Sequence, residues 1–515
     1  MLSLKRDNRF DTNYIARNLI IQNDWNKPTL TEIIDKAAEI KSLTDLPTEQ
    51  RRSPFWFSTR DTPFGEDSRT DDNHDCSTDL TEIQKTDLDK LLSKFKNIFN
   101  DLPGRSHLGT HKILVNPDIQ SVKCNAFRMH PDKQKILKAE IQKLLDLALI
   151  RQSTSYYASP CMLLNKPDGG HRLIIDYSKL NRQCQCQDYP IGRIDDLIDK
   201  IGQAQYLTKL DITKAYWNIN LDEESIKYTG FVTPRGHYKW LVVPFGLSGA
   251  CSTFNRIIGE VLAGLNAFTA GYFDDVLIHS NTWTKHIEDV TEVLKAIQNA
   301  GMTLNINKCL FGRATVDFLG FQVGLGRIEP RQRKLEAILH FPRPTTKKQI
   351  AQWCGLASYF QRYIPHYADI TAELSNMLKK DSKFKWTEKA EQAFLEIKNR
   401  MASHPILRTP DFNLPFCLAC DSSNVAIAAC LFHVIDGFEH SICYVSQTLN
   451  KHQVVFYSTI EMEAFSLVTA VQRFSVSLVQ NQVTAYTDHD PLRFLHKMNK
   501  KAQHRSWHTA KCNML

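Results

Sequence analysis

The sequence predicts an α+β protein that is divided into several domains. At 515 residues the chain is too long for a single hydrophobic core, and its length suggests about three domains. Amphipathic helical patterns alternate with short apolar runs, which indicates domains built on mixed sheets. Several of these runs end in aspartate, so we expect the sheet edges to carry carboxylates.

The composition is that of an ordinary globular protein with a mildly basic charge. Hydrophobic residues make up 42% and charged residues 23%, and the formal net charge is +8. This charge is compatible with a polyanionic partner but does not require one. The 13 cysteines show no disulfide-like spacing, which indicates a reducing compartment. No apolar run approaches the length that spans a bilayer, so we expect no membrane association.

The N-terminal segment carries the weakest pattern. Residues 30–40 fit one amphipathic helix, whereas residues 53–78 are polar, acidic and rich in turn formers, which is typical of a linker. The segment has no Asp-Thr-Gly or Asp-Ser-Gly triplet and therefore no aspartic-protease active site.

Regular elements follow in order from Leu80. Helical periodicity begins there and again at Pro131, where a proline suits the first helical turn; this second helix is expected to reach residue 149. Strand-like runs at residues 159–165 and 172–177 flank the turn signal Pro167-Asp168-Gly169-Gly170. The next predicted elements are a strand ending at Asp211, a hairpin around Pro234-Arg235-Gly236, a helix over 252–267 and a helix over 283–300 that Gly301 ends.

The adjacent acids Asp274 and Asp275 stand between two apolar runs. The pattern predicts two short strands joined by a tight turn, at whose tip both carboxylates can lean toward one point. Two like charges that close repel each other unless a cation lies between them, and oxygen ligands suit Mg²⁺. For a bare pair of this kind, a solvated Asp-Asp turn is the simpler interpretation.

Asp211, at the end of its own predicted strand, adds a third carboxylate. Three carboxylates on two strand ends can hold two Mg²⁺ ions roughly 3.5–4 Å apart, and Mn²⁺ remains an alternative. One ion would activate a primer 3′-hydroxyl, and the other would bind a nucleoside triphosphate and stabilise the leaving pyrophosphate. Lys166 and Arg172, which flank the glycine-rich turn, are candidate triphosphate contacts, although for either residue alone a solvated hairpin charge is the simpler interpretation. Tyr216 is either a core tyrosine or a ring that excludes a ribose 2′-hydroxyl.

A second acidic set lies near the end of the chain. Asp421 ends a strand-like run, Glu463 lies on a predicted helix, and Asp488 ends another strand. These acids form a second candidate two-metal cage, suited to phosphodiester hydrolysis. Glu461 remains an alternative to Glu463. The pair Cys417 and Cys420 has no second pair nearby, so we interpret it as packed thiols rather than a zinc site.

Four motifs follow one another along the chain. They are Leu210-Asp-Ile-Thr-Lys-Ala-Tyr216, Val243-Pro-Phe-Gly-Leu247, Tyr272-Phe-Asp-Asp275 and Phe318-Leu-Gly-Phe321. In order and spacing they resemble the reverse transcriptase and RNase H region of Pol polyproteins from gypsy-type LTR retrotransposons. The resemblance covers residues 85 to about 500 and departs from the family at His171, where Trp is usual, and at Cys251, where Pro is usual.

The resemblance implies a right-hand polymerase followed by a connection and a partial RNase H-like α/β domain. The implied divisions are an N-terminal segment with an acidic linker (1–84), fingers, palm and thumb (85–340), a connection (341–412) and an RNase H-like domain that lacks its C-terminal end (413–515). The implied polymerase metal ligands are Asp211, Asp274 and Asp275, with Lys166, Arg172 and Tyr216 at the nucleotide. The implied RNase H ligands are Asp421, Glu463 and Asp488. Arg331, Arg333 and Lys334 would meet duplex phosphates.

The expected function is therefore RNA-directed DNA polymerase activity, with RNase H activity left open because a fourth metal ligand is missing. The implied partners are an RNA or DNA template-primer duplex and dNTPs, and the implied location is intracellular, in the cytoplasm or a virus-like particle, with nuclear access an open option. The alternative is a non-catalytic nucleic-acid-binding relic or domesticated Pol fragment. An RNA-dependent RNA polymerase is disfavoured by Tyr216 and by the RNase H-like region.

Overall fold

The computed structural model describes residues 2–6, 80–165, 170–185, 189–190, 192–380, 382–403, 405–478, 481 and 483–487. The described chain from residue 80 to Phe318 forms one compact unit. The chain from Leu319 onward forms a second unit together with the N-terminal strand. The helix expected over residues 30–40 lies outside the described residues.

The first and the last helix of the first unit have clear local signals at one end. The first begins with a capping box between Thr81 and Gln84, and the last is followed by Gly301 at a φ of 72°, where a Cβ atom would lie 2.5 Å from the carbonyl oxygen of Arg105. The helices are α1 (Glu82–Lys94), α2 (Pro131–Asp146), α3 (Ser178–Asn181), α4 (Ile194–Ile201), α5 (Glu223–Ile226), α6 (Ala250–Val261) and α7 (Trp283–Asn299).

Two predicted helices are shorter than the sequence pattern suggested. The helix from Pro131 ends at Asp146, because Ala148 takes a left-handed φ of 51°. The helix expected over 252–267 begins at Ala250 and ends at Val261, before turns that include Gly264 at a φ of 84°. Apolar periodicity thus continued past the point where the backbone leaves the helix.

The strands are numbered in chain order, and the first of them, β1 (Leu2–Arg6), belongs to the second unit. The strands of the first unit are β2 (Thr110–His111), β3 (Leu114–Val115), β4 (Ile150–Gln152), β5 (Ser159–Asn165), β6 (His171–Ile175), β7 (Cys184–Gln185), β8 (Tyr206–Asp211), β9 (Asn220–Leu221), β10 (Phe231–Thr233), β11 (Gly236–Trp240), β12 (Thr269–Tyr272), β13 (Asp275–Ser280), β14 (Leu310–Arg313) and β15 (Thr315–Phe318). The predicted strand pair β5–β6 and the hairpin β10–β11 are both confirmed as antiparallel.

Two larger sheets organise the first unit. An antiparallel sheet with the order β12-β13-β8-β14 carries the acidic residues, and a mixed sheet has the order β4-β11-β10-β5-β6. In the antiparallel sheet, Leu210, Val276 and Ile278 are fully buried and share one core with the apolar face of α7. Burial of this face fixes the register of β8 against β13, because a slip of one residue would turn every side chain to the other face.

The second unit contains seven helices within the described ranges. They are α8 (Gln332–Leu339), α9 (Lys347–Ser358), α10 (Tyr367–Met377), α11 (Glu388–Ala402), α12 (Lys451–Phe456), α13 (Thr459–Arg473) and α14 (Ser475–Leu478). The strands are β16 (Phe321–Gly324), β17 (Arg327–Pro330), β18 (Leu407–Arg408), β19 (Phe416–Ser422), β20 (Ala426–Ile435), β21 (Phe438–Thr448) and β22 (Val483–Thr487).

The main sheet of the second unit has the order β1-β22-β19-β20-β21. Strands β19, β20 and β21 are antiparallel, whereas β22 runs parallel to β19 and β1 parallel to β22. Leu467 and Val471 of α13 pack on Leu418 and Leu431 of the sheet. Cys417 and Cys420 are both buried, in separate apolar clusters, as the packed-thiol interpretation expects.

None of the helices in the described ranges is both long and apolar enough to cross a membrane.

Candidate active site

The Asp-Asp hairpin forms as predicted, and it brings three carboxylates to one end of the antiparallel sheet. Tyr272 pairs with Asp275 across the turn, and Asp275 in turn lies directly opposite Asp211 on β8. Phe273, the first residue of the turn, has a φ of 52°, a left-handed conformation that is strained for a bulky residue. Strain of this kind occurs preferentially at functional sites. The backbone of Asp274 is tied down as well, because its carbonyl oxygen accepts a hydrogen bond of 3.3 Å from the N–H of Ile212.

Two lysines that the sequence analysis did not single out lie among these carboxylates. Lys209 Nζ is 3.0 Å from Asp275 Oδ2 and also donates to the carbonyl oxygen of Asp317 at 3.3 Å. Lys308 Nζ lies 3.8 Å from Asp211 Oδ2. The first lysine was detectable, since it stands two residues before Asp211 on a strand and therefore on the same face. The second comes from a loop, and nothing in its local sequence marks it.

Two of the three carboxylic acids, Asp211 and Asp274, have a raised pKa. Burial raises the pKa of Asp211 to about 6, opposed by Lys308 and reinforced by Asp274 and Asp275. Although Asp274 is exposed as a residue, its carboxyl group is crowded by protein atoms, and this loss of hydration, followed by repulsion from Asp275, raises its pKa. Both raised pKa values mean that the ionised form of these carboxyl groups is destabilised when no cation lies beside them.

The donor chemistry suits a divalent cation, but the side chains are directed at lysines. Within the described ranges, no group of three or more His, Cys, Asp or Glu side chains converges closely enough to hold a metal ion. Asp275 instead forms an ion pair with Lys209, and Asp211 lies near Lys308. The hard oxygen donors and the raised pKa values fit a site that gains from a positive ion. Metal binding would require the carboxylates to exchange lysine for the ion.

The nucleotide-side predictions divide into described and undescribed residues. Tyr216 lies on a short 3-10 helix directly after β8, partly buried, with its ring edge-on to Phe245 and Phe254. Arg172 lies on β6 opposite Leu164, at the end of β6 nearest the glycine-rich turn. Lys166 lies outside the described residues. The structure therefore places the ring beside the carboxylates and leaves the lysine of the turn without a position.

The second acidic set gathers around Ser422. Asp421 and Ser422 are the last residues of β19, and the Ser422 hydroxyl donates to Glu463 Oε1 of α13 at 2.6 Å, while its backbone N–H donates to Asp421 Oδ1 at 2.8 Å. His366 Nδ1 lies 3.8 Å from Asp421 Oδ2. Asp488, the third predicted ligand, lies outside the described residues.

The structure also separates the two glutamates of α13. Glu461 closes a capping box with Ser458 at the helix start, whereas Glu463 is only 3% exposed and is directed toward β19. This geometry supports Glu463 as the member of the acidic set, because Glu461 is already used to cap the helix.

The basic residues assigned to duplex phosphates lie around the start of α8. Lys334 Nζ lies 5.2 Å from the centroid of the Tyr359 ring, and burial lowers the pKa of this lysine. A partly desolvated lysine over an aromatic face is a cation–π contact rather than a solvated phosphate-binding charge. Arg331, at the N-cap, and Arg333 flank it on the chain.

Comparison with protein families identifies two domains. Residues 164–323 match the family described as reverse transcriptase (RNA-dependent DNA polymerase), and residues 386–485 match the family of RNase H-like domains found in reverse transcriptase. The retrovirus-related Pol polyprotein from transposon 297 of Drosophila melanogaster is 35% identical over 431 residues, which make up 82% of this chain and 40% of that protein. The Tf2-3 polyprotein of Schizosaccharomyces pombe is 31% identical over 350 residues, or 68% of this chain and 26% of that protein. The chain thus spans less than half the length of these relatives.

Solved structures show the same fold at lower sequence identity. The foamy viral protease–reverse transcriptase in complex with an RNA/DNA hybrid superposes with a TM-score of 0.69 at 18% identity, covering 85% of this chain and 60% of that one. The dRH form of the foamy viral enzyme in complex with double-stranded DNA gives a TM-score of 0.74 at 18% identity, over 85% of this chain and 78% of that one. The family matches thus identify a reverse transcriptase domain followed by an RNase H-like domain, in a chain that is similar over most of its length to the Pol polyproteins of transposons.

Proposed function

We propose that this chain is a template-directed DNA polymerase that adds dNTPs to a primer by metal-dependent nucleotidyl transfer. The observation that carries the proposal is the register of the antiparallel sheet, which sets Asp275 opposite Asp211 and places Asp274 at the adjacent turn. Three acids concentrated on one end of a sheet, two of them with a raised pKa, have no structural benefit of their own.

In this proposal Asp211, Asp274 and Asp275 hold two divalent ions, with Mg²⁺ the best match to their oxygen donors. When bound, the ions would lower the charge barrier for attack of a primer hydroxyl on a nucleoside triphosphate. Lys209 and Lys308 balance part of the negative charge of the carboxylates when no metal ion is bound. Tyr216 presents its ring beside the carboxylates, where it would meet the sugar of an incoming nucleotide. Lys166 and Arg172 are the proposed triphosphate contacts.

The partners follow from the same site. We propose an RNA or DNA template-primer duplex and dNTPs as ligands, since the solved relatives of this fold are complexes with RNA/DNA hybrid or double-stranded DNA. We also propose that residues 85–340 act as fingers, palm and thumb, 341–412 as a connection and 413–515 as the RNase H-like domain. None of the ten described cysteines is in a disulfide, which fits the proposed reducing, intracellular location.

The experiment is primer extension on poly(rA) with oligo(dT), dTTP and Mg²⁺. The wild-type chain is compared with the double variant Asp274→Asn/Asp275→Asn, and the charge-matched control is Asp132→Asn/Asp146→Asn, which removes two acids from the surface of α2. Extension by wild type and control that disappears in the site variant supports the proposal. No extension by folded wild-type chain, with template binding retained in fluorescence anisotropy, favours the non-catalytic binding protein instead.

A second activity, cleavage of the RNA strand of a hybrid, is favoured by one observation. Ser422 links Asp421 and Glu463, so the strand end and helix that would share a metal are already in contact. Asp488 would complete the set. Labelled RNA/DNA hybrid incubated with Mg²⁺ tests this, and cleavage lost in Asp421→Asn but retained in Asp274→Asn/Asp275→Asn assigns it to the second unit.

A further inference from the structure

The Tyr216 ring is held by contacts of two different kinds. Its ring lies edge-on to Phe254, with ring centroids 5.8 Å apart, and to Phe245, with centroids 5.3 Å apart. Its hydroxyl lies 3.0 Å from the thiol sulfur of Cys251, a distance at which one group donates a hydrogen bond to the other. The aromatic contacts fix the body of the ring, and the thiol contacts its tip.

Cys251 is placed to act on the tip because of where α6 begins. It is the second residue of that helix and is exposed, so the thiol stands at the helix start rather than within the core. The same thiol helps to raise the pKa of Tyr216 and of Tyr272, after burial in both cases. Cys251 therefore contacts Tyr216 and lies within electrostatic range of Tyr272, the residue that precedes the turn of the Asp-Asp hairpin.

We propose that Cys251 is a positioning residue that fixes the Tyr216 hydroxyl and thereby sets discrimination between deoxyribo- and ribonucleotides. The inference rests on the proposed polymerase function. An aromatic ring excludes a ribose 2′-hydroxyl only if the ring cannot rotate out of the way. A contact at the Tyr216 hydroxyl, the side-chain atom farthest from the backbone, restricts this rotation most.

The position tolerates the substitutions that are needed to test it. The N–H groups of the first helical turn have no partner within the helix, so proline at this second position removes no helical hydrogen bond. Cys251→Ala removes the hydrogen bond, Cys251→Ser keeps a group that can donate and accept, and Cys251→Pro installs the usual family residue. Cys124→Ala is the control, because Cys124 is another described cysteine of the first unit, partly buried among apolar residues.

The first measurement is single-nucleotide addition on an RNA template with one templating uridine. The rates with dATP and with ATP are compared, because these two substrates differ only in the 2′-hydroxyl of the sugar. We expect Cys251→Ala to lower the selectivity ratio, kcat/KM for dATP divided by kcat/KM for ATP, by about three- to tenfold, mainly through a lower KM for ATP. This is the size of effect expected from the loss of one neutral hydrogen bond. Cys251→Pro should behave similarly, and Cys251→Ser and Cys124→Ala should retain the wild-type ratio.

A double-mutant cycle separates positioning from simple packing. Tyr216→Phe keeps the ring but removes the hydroxyl, so adding Cys251→Ala to it should change the ratio no further. Full additivity of the two substitutions, or an unchanged ratio in Cys251→Ala, overturns the inference.

A second measurement needs no polymerase activity. The rate at which N-ethylmaleimide alkylates Cys251 is followed by peptide mass spectrometry, and we expect Tyr216→Phe to raise it at least about twofold, because the hydrogen bond and the shielding hydroxyl are lost. The rate at Cys124 should stay constant. If wild type extends no primer, the proposed function fails while the alkylation rates still decide the contact. Equal rates at Cys251 in wild type and Tyr216→Phe overturn the inference.

Discussion

Lys209 on β8 forms an ion pair with Asp275 on the neighbouring strand β13, with 3.0 Å between Nζ and Oδ2. The two side chains are 20% and 26% exposed, so the pair is only partly hydrated. Asp275 also lies directly opposite Asp211 in the sheet. Lys209 thus places a positive charge beside the carboxylates at which we propose that metal ions bind.

Lys209→Met should destabilise the metal-free protein and make it more dependent on divalent ions. Loss of the pair removes the positive charge closest to Asp275, and we expect the free energy of unfolding in EDTA to fall by about 1–3 kcal/mol. Added Mg²⁺ should recover most of this loss, so that the Mg²⁺-induced rise in melting temperature is larger than in wild type.

The matched control for this prediction is Lys295→Met. Lys295 pairs with Glu292 at 2.8 Å on the open surface of α7, where both side chains are about half exposed. We expect a change below about 0.5 kcal/mol there. Equal effects of the two substitutions, measured by urea denaturation with and without Mg²⁺, would contradict a special role for the Lys209–Asp275 pair.

The stability of the metal-free protein should depend on Asp211 at neutral pH. Its pKa is raised to about 6 in the folded state from an ordinary 3.8, so the folded state favours the protonated acid. The associated stability is fully present below pH 3.8 and is lost as the pH rises through 6. Asp211→Asn should therefore be more stable than wild type at pH 7, by on the order of 2 kcal/mol, because partial exposure weakens the full shift.

The check is a series of denaturation curves in EDTA between pH 4 and pH 7. The advantage of Asp211→Asn should shrink steadily toward pH 4, where the wild-type side chain is itself neutral. A stability advantage of Asp211→Asn that does not change with pH would contradict a raised pKa of Asp211 in the folded state.

The two glutamates of α13 should respond differently to substitution by glutamine. In a chain that already carries Asp274→Asn/Asp275→Asn, Glu463→Gln should weaken Mn²⁺ binding by about tenfold or more, because it alters a carboxylate at the proposed metal site. Glu461→Gln should leave Mn²⁺ binding unchanged, since glutamine also completes a capping box. Mn²⁺ electron paramagnetic resonance titration measures both. The same affinity in the two variants would remove Glu463 from the site.

Trp353 should anchor the helical part of the second unit. Its side chain is fully buried, and the centroid of its ring lies 4.5 Å from the ring centroid of Phe394 and 5.3 Å from that of Phe341. Trp353→Ala should cost about 3–5 kcal/mol of unfolding free energy through the cavity it leaves. Leu395→Ala, next to Phe394 on α11 but 46% exposed, is the control and should cost well under half as much. Denaturation monitored by circular dichroism tests both, and similar costs would be evidence against this core.

The sequence predicted most of the elements because their signals are local. The capping box at Thr81, the proline that opens α2 and the two acids at a turn all act over a few residues. The predicted helix ends at residues 149 and 267 failed, because left-handed backbone at Ala148 and the turns after Val261 were not visible in the apolar periodicity. Of the predicted second acidic set, Asp421 and Glu463 both contact Ser422, which was not predicted, whereas Asp488 lies outside the described residues.

By itself, the sequence determined the fold class, the two families of domain and the chemical identity of the candidate ligands. These properties depend on residue type and on spacing along the chain, which carry through to strands and helices of known period. Only the tertiary structure decided that Lys209 and Lys308 oppose the carboxylates and that Cys251 contacts Tyr216. Such pairings join residues on different elements. Their distances follow from strand register and helix packing, and no local pattern encodes them.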